Sequence, residues 1–172
     1  MRFGKIIKHI PANSRILDVG CGYSGKLLYK IKDKISAGFG IDISVSHEHR
    51  SDKITLMKHD LAFPLPFENN SFDAVTSLAN LEHLESPQKS LAEIYRVLKP
   101  GGVLIMTTPS IYGKPVLELL AFIGLVSRQE INDHKNYFDK RILLKYCHKI
   151  GFSSCKHRYF QFGMNNFLIA KK

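Results

Sequence analysis

The chain has 172 residues, 44% hydrophobic and 23% charged, with a formal net charge of +10, a balance that excludes disorder and fibrous repeats and suits one domain spanning 1–172. Three scattered cysteines, Cys21, Cys147 and Cys155, exclude a disulfide framework and a cysteine metal site and point to a reducing, cytoplasmic compartment. The N-terminus lacks the apolar core of a signal peptide, and no apolar run approaches the roughly 20 residues that span a bilayer.

Alternation of strands and helices predicts an α/β fold with a mostly parallel sheet covered on both faces. The first strand is expected at Arg15–Val19 and runs into Gly20-Cys21-Gly22-Tyr23-Ser24-Gly25, a Gly-x-Gly-x-x-Gly loop. Leu27, Leu28, Ile31 and Ile35 follow at helical spacing. A glycine loop between strand and helix lets backbone N–H groups approach a nucleotide, but it serves pyrophosphates and other ligands alike. Asp18 discriminates: a carboxylate two residues before the glycines repels a doubly anionic pyrophosphate and suits a phosphate-free ligand with a cationic amino group. S-adenosylmethionine has that ammonium and a cationic sulfonium. The plainer role for Asp18, bonding loop N–H groups, is compatible with this one.

The second strand, Ala37–Ile41, ends at Asp42. An acid about 20 residues beyond the glycines accepts hydrogen bonds from ribose hydroxyls in nucleotide folds generally. A third strand is expected at Ile54–Met57, after a link too short for a full crossover helix, and a fourth at Phe72–Thr76. Ser86-Pro87 offers an N-cap and a first-turn proline, and Leu91, Ile94, Tyr95 and Leu98 make an apolar stripe that Pro100-Gly101-Gly102 stops. A fifth strand at Val103–Thr107 precedes a long irregular stretch, about 109–137, expected to carry substrate specificity. Within it, 116–126 is apolar all round, which suits a lid, a homodimer contact or a peripheral membrane helix. A helix at about 140–150 places Arg141, Lys145 and Lys149 opposite Ile142, Leu143, Tyr146 and Ile150, so these cations read as a solvated face rather than a nucleic-acid surface. Strands at Ser154–Phe160 and Asn166–Ala170 should pair as a hairpin.

With Asp18, Gly20, Cys21, Gly22, Asp42 and Ile43 in this order, the chain resembles a class I S-adenosylmethionine-dependent methyltransferase, in the group with small-molecule, lipid and quinone acceptors. His59-Asp60-Leu61 resembles the segment whose acid, here Asp60, accepts from the adenine amino group while Leu61 donates its N–H. The run from Phe72 to Leu84, with Leu78 and Ala79, resembles the fourth-strand motif beneath the methionyl part, and Glu93 to Gly102 resembles the helix and turn before strand five. The resemblance implies a Rossmann-like three-layer sandwich with seven strands in order 3-2-1-4-5-7-6, strand seven antiparallel. It also implies S-adenosylmethionine as cofactor, S-adenosylhomocysteine as product and no metal. Tyr23-Ser24 adds a residue before Gly25 relative to the shorter family loop, and few residues precede the first strand to roof a substrate pocket.

Methyl transfer is an in-line displacement, in which proximity and orientation supply about 7–11 kcal/mol of the barrier, so a base is needed only for a weakly acidic acceptor. His83 and His134 are the candidates, because an unperturbed imidazole titrates near neutral pH and the resemblance puts both segments beside the methyl site. Tyr137 and Phe138 fall on the substrate side, as pocket wall or as core. His47-Glu48-His49 lacks the spacing of a zinc site. The competing functions are a cofactor-binding scaffold without turnover and a nicotinamide-dependent oxidoreductase, which Asp18 and Asp60 disfavour.

Overall fold

The computed structural model describes residues 2–115 and 135–172. The apolar run 116–126 and His134 therefore lie outside the described residues. In chain order the elements are α1 (Arg2–Ile7), β1 (Arg15–Val19), α2 (Lys26–Ile31), β2 (Ala37–Asp42), β3 (His49–Arg50), β4 (Ile54–Lys58) and β5 (Phe72–Leu78). A 3-10 turn (Leu81–His83), α3 (Pro87–Val97), β6 (Leu98–Pro109), α4 (Lys140–Ile150), β7 (Ser154–Phe160) and β8 (Asn165–Lys171) complete the described chain.

The strands form one sheet in the order β3-β4-β2-β1-β5-β6-β8-β7. Apart from β3, this is the expected order, with β8 antiparallel to β6. The extra strand is a two-residue ribbon antiparallel to β4, and it occupies the short link between β2 and β4, where no helix forms. The fifth strand, β6, is longer than its apolar run suggests. α3 stops at Val97 because Leu98 is already extended and pairs with Phe72, after which the register shifts and resumes at Val103 opposite Ala74.

Alternation along each strand divides the core into two faces. Leu17, Val19, Val75, Leu104, Met106 and Leu168 pack beneath α3 and α4 with Leu91, Ile94, Leu143 and Cys147. Ile16, Ala74 and Ile105 face the other way, against Ile6 of α1 and Leu27, Leu28 and Ile31 of α2. Each Val, Leu, Ile or Met among them contributes about 1.5–3 kcal/mol on burial, so both layers hold the strand ends in fixed register. α4 starts with Asp139 accepting from the Ile142 N–H and ends at Gly151, whose φ of 114° suits the left-handed cap. Ser86 precedes α3 without a side-chain cap bond, and Pro87 alone marks that start.

Candidate functional site

β1, β2, β4, β5 and β6 run parallel, so the segments after them gather at one edge of the sheet, where open α/β sheets place ligands. The glycine loop is tied to the end of β2: Gly20 N–H and Cys21 N–H both donate to the Ile41 carbonyl, at 2.9 and 3.2 Å. The Gly22 N–H donates to Asp42 Oδ2 at 2.9 Å. Asp42 Oδ1 accepts from the Ser44 N–H (2.8 Å) and hydroxyl (2.6 Å). Asp42 is therefore fixed by its own turn and by the glycine loop, with an acceptor site left on Oδ2.

Two glycines are required for different reasons. Gly20 has φ +77°, and a Cβ there would lie 2.6 Å from Asn80 Cγ, so the Asn80 side chain after β5 packs directly on the Gly20 backbone. Gly25, at φ +57°, would drive a Cβ to 2.7 Å from Leu56 Cδ2. The third loop glycine thus makes room for Leu56 where α2 begins over β4.

Asp18 is buried at 3% exposure and sits level with Thr76 of β5, whose hydroxyl donates to Oδ1 at 2.5 Å. Burial pushes its carboxyl up to about 6, against the Thr76 hydrogen bond and with a smaller push from the Asp42 charge. Among the described residues, no Lys, Arg or His forms an ion pair with Asp18. The Cys21 thiol is pushed up to about 12 by burial and then by Asp18 and Asp42, so it stays protonated and unreactive.

Asp42, Ile43, His59, Asp60, Leu61, Asn80, His83 and Leu84 line a crevice of about 160 Å³. Beside it a cavity of about 760 Å³ runs between the Asp60–Leu65 loop and the start of α3, sharing Asp60, Leu61, His83 and Leu84 as walls. The structure thus brings together Asp42, Ile43, Asp60, Leu61 and His83. Asp18, Gly20, Cys21, Gly22, Leu78 and Ala79 line neither void; they form the adjoining floor, joined to the crevice through Asn80. Asp60 is exposed and its Oδ1 accepts from the Ala62 N–H at 2.9 Å. Arg96 steadies the same loop, donating to the carbonyls of Leu65 (3.0 Å) and Phe67 (2.7 Å). It also pairs with Glu93 at 2.8 Å, whose other contact is the Leu65 N–H. The Arg96 hydrogen bond holds the Glu93 carboxyl below the usual range.

On the opposite side Glu82 is fully buried. Its Oε2 accepts from the Thr108 hydroxyl at 3.0 Å, and its carbonyl accepts from the N–H groups of Lys135 (2.9 Å) and Asn136 (3.0 Å). The returning chain is thereby latched to the end of β5. Asn166, also fully buried, donates to the carbonyls of Phe138 (3.0 Å) and Pro109 (3.2 Å). Phe138 is core, 3% exposed and stacked edge-on to Tyr146. Tyr137 is half-buried beneath Lys114, whose Nζ lies 5.6 Å from the ring centroid.

Sequence reasoning did not single out Thr76, Asn80 or His59. Thr76 was reachable, since a polar residue inside an apolar strand, level with Asp18, asks for a partner. Asn80 becomes visible only through Gly20. Of the buried side-chain atoms with no hydrogen-bond partner among the described residues, which include Ser77 Oγ and Thr107 Oγ1, Asn80 Nδ2 and His59 Nε2 belong to crevice residues. Unmet polar groups there, the buried carboxylate that pairs with no cation among the described residues and the open space over Gly22 fit an adenosyl amino acid such as S-adenosylmethionine. Among the described residues no group of His, Cys, Asp and Glu is arranged to hold a metal ion, and no helix is long and apolar enough to cross a membrane.

Comparison with known proteins gives the same direction. A family model described as a methyltransferase domain matches residues 17–106. Demethylmenaquinone methyltransferase of Lactiplantibacillus plantarum is 31% identical over 64% of this chain and 51% of its own length. Sarcosine/dimethylglycine N-methyltransferase of Aphanothece halophytica is 36% identical over 60% of this chain and 40% of its own. The chain thus spans about half the length of the curated relatives it matches, or less. A crystal structure of a S-adenosylmethionine-dependent methyltransferase from Archaeoglobus fulgidus superposes with a TM-score of 0.73 at 19% identity, covering 99% of this chain and 91% of that one.

Proposed function

Because this chain belongs to the methyltransferase-domain family, we propose that it transfers the methyl group of S-adenosylmethionine to a small, apolar or lipid-like acceptor. The carrying observation is Asp18, a carboxylate inside the protein with a hydroxyl partner and, among the described residues, no cation paired with it. Leaving such a charge uncompensated is costly, and a bound ammonium repays it. Asp18 would hold the amino group of the cofactor, Asp42 the ribose hydroxyls, and Asp60 with the Leu61 N–H the adenine, with Ile43 covering the ring. Gly20, Cys21, Gly22, Leu78 and Ala79 would bed the methionyl part.

When bound, the cofactor supplies an electrophilic methyl carbon on a cationic sulfur. The protein's task is then to orient the acceptor, exclude water and dispose of a proton. His83, on the wall shared by both voids, is our candidate base, taking the acceptor's proton at a ring nitrogen. His134 is carried as a second candidate. Tyr137, held by the Glu82 latch on Asn136, would border the acceptor, and no metal is invoked. The residues 1–172 act as one methyltransferase domain whose substrate-side stretch is about 109–137. Three free cysteines support a cytosolic setting. The apolar acceptor is supported by the demethylmenaquinone relative and by the apolar lining of the larger cavity, from Leu61 to Leu65.

Titration calorimetry tests the cofactor directly. S-adenosylhomocysteine should bind wild type and lose at least about 10-fold affinity in Asp42→Ala. Binding of NADH in its place would overturn the assignment. Transfer of a labelled methyl group to a panel of quinols, sterols and small amines then reads the acceptor; bound cofactor with no transfer to any of them would favour a scaffold.

A further inference from the structure

Large exposed apolar side chains are not scattered evenly over this molecule. Tyr23, Ile43 and Phe63 follow β1, β2 and β4, and Ile111 and Tyr112 follow β6. Phe162 joins them, because β8 runs antiparallel to β6 with Asn165 opposite Pro109, which brings the β7–β8 turn to that same end. The Ser110 N–H and hydroxyl bond the carbonyls of Met164 (2.8 Å) and Gly163 (2.5 Å), so turn and post-β6 segment form one body. Tyr112 stacks edge-on to Tyr159 at 5.7 Å.

Phe162 is 104% exposed and sits at φ +56°, next to Gln161 at φ +52°. The β7–β8 connection is four residues, Gln161–Met164; positive φ in such a turn favours Gly and Asn, and a bulky residue there costs about 1 kcal/mol. A strained turn that spends this to hold a phenyl ring in water has no folding rationale. The flank is cationic: Lys5 Nζ lies 5.6 Å from the Phe160 ring, and Arg158 is exposed on β7 two residues before Phe160. Burial and then Lys8, Arg158, Lys156 and Lys34 hold the His9 ring below its usual range, so the positive charge continues down that side of the molecule. Among the described residues, Asp139 near this flank accepts from the Ile142 N–H as a helix cap.

We propose that this end of the molecule, led by Phe162 and flanked by Lys5 and Arg158, docks on an anionic lipid surface. An apolar prong rimmed by cations is complementary to a bilayer interface of negative potential. A nucleic acid would use the cations and leave Phe162 in water. Attachment faces the mouth of the site toward the membrane, which rests on the reading of a lipid-like acceptor for its purpose, although lipid binding itself needs neither cofactor nor acceptor.

The test is flotation of the purified protein with phosphatidylcholine vesicles, with and without phosphatidylglycerol, at low and high salt. Wild type should float with the anionic vesicles and release in salt. Phe162→Ser should lower the partition coefficient about 10-fold, and Lys5→Glu with Arg158→Glu by at least as much, at about 5-fold per charge. Melting curves and S-adenosylhomocysteine binding, unchanged in Phe162→Ser, separate docking from folding and from the cofactor reading. No flotation, equal flotation on neutral vesicles, or flotation untouched by Phe162→Ser overturns the proposal. So does tight binding to duplex DNA without any to vesicles.

Discussion

The buried carboxylate of Asp18 makes a prediction in which stability and function move in opposite directions. Its pKa rises from 3.8 in the unfolded chain to about 6 in the native state, so the native state binds the extra proton between those values. The associated stability is complete below pH 3.8 and is lost as pH rises through about 6, at a cost of about 3 kcal/mol. Asn at this position keeps an acceptor for the Thr76 hydroxyl and carries no charge. Asp18→Asn is therefore expected to match wild type near pH 4 and to exceed it at pH 8 by up to about 3 kcal/mol, or roughly 6–12 °C in Tm for a chain of this size. The same variant should lose most of the Tm rise that S-adenosylhomocysteine gives wild type. In wild type, ligand affinity should fall about 10-fold for each pH unit below 6, because the ammonium must displace a proton. Differential scanning fluorimetry at pH 4, 6 and 8, with and without ligand, reads all of these. If Asp18→Asn is destabilised equally at every pH, or keeps full ligand stabilisation, the argument from an uncompensated buried charge is wrong.

Gly20→Ala should lose about 1–2 kcal/mol from its left-handed backbone and weaken cofactor binding further by moving Asn80, as urea unfolding and calorimetry on the same sample would show. Arg96→Ala should cost about 1–2 kcal/mol and speed amide hydrogen exchange over residues 65–69, with residues 15–19 unaffected. Asn166→Leu, which strands the Phe138 and Pro109 carbonyls, should cost about 3 kcal/mol and lower acceptor turnover more than cofactor affinity. His83→Gln should reduce transfer to a hydroxyl acceptor about 100-fold or more while leaving the S-adenosylhomocysteine Kd unchanged, measured with the labelled-methyl assay.

The strands were legible because parallel strands buried on both faces read as continuous apolar runs, as Ile16, Leu17 and Val19 do. Asp18 and Asp42 were legible because a charge within or at the end of such a run has few structural uses. The glycine loop was legible as a turn but not in its details, since only three-dimensional packing reveals that Gly25 makes way for Leu56. β3 escaped notice because two residues carry no periodicity, and the true start of β6 was hidden by Lys99 to Gly102, a stretch that reads as a helix stop. The Glu82 latch was invisible for another reason: its partners, Thr108 and Asn136, lie far along the chain, and a lone Glu beside a His reads as a helix-turn carboxylate. Phe138 could be read as wall or core, and its near-complete burial places it in the core.

β8 lies between β6 and β7, although it is the later of the two hairpin strands, and its Asn166 reaches across 58 positions to Thr108. During vectorial synthesis the first five strands of the parallel half can therefore assemble while β6 still presents a bare row of N–H and C=O groups. Closing so long a loop is slow compared with local pairing, and an uncovered interior strand is a template for other chains. Until β8 arrives, the open edge of β6 is available for pairing with another chain.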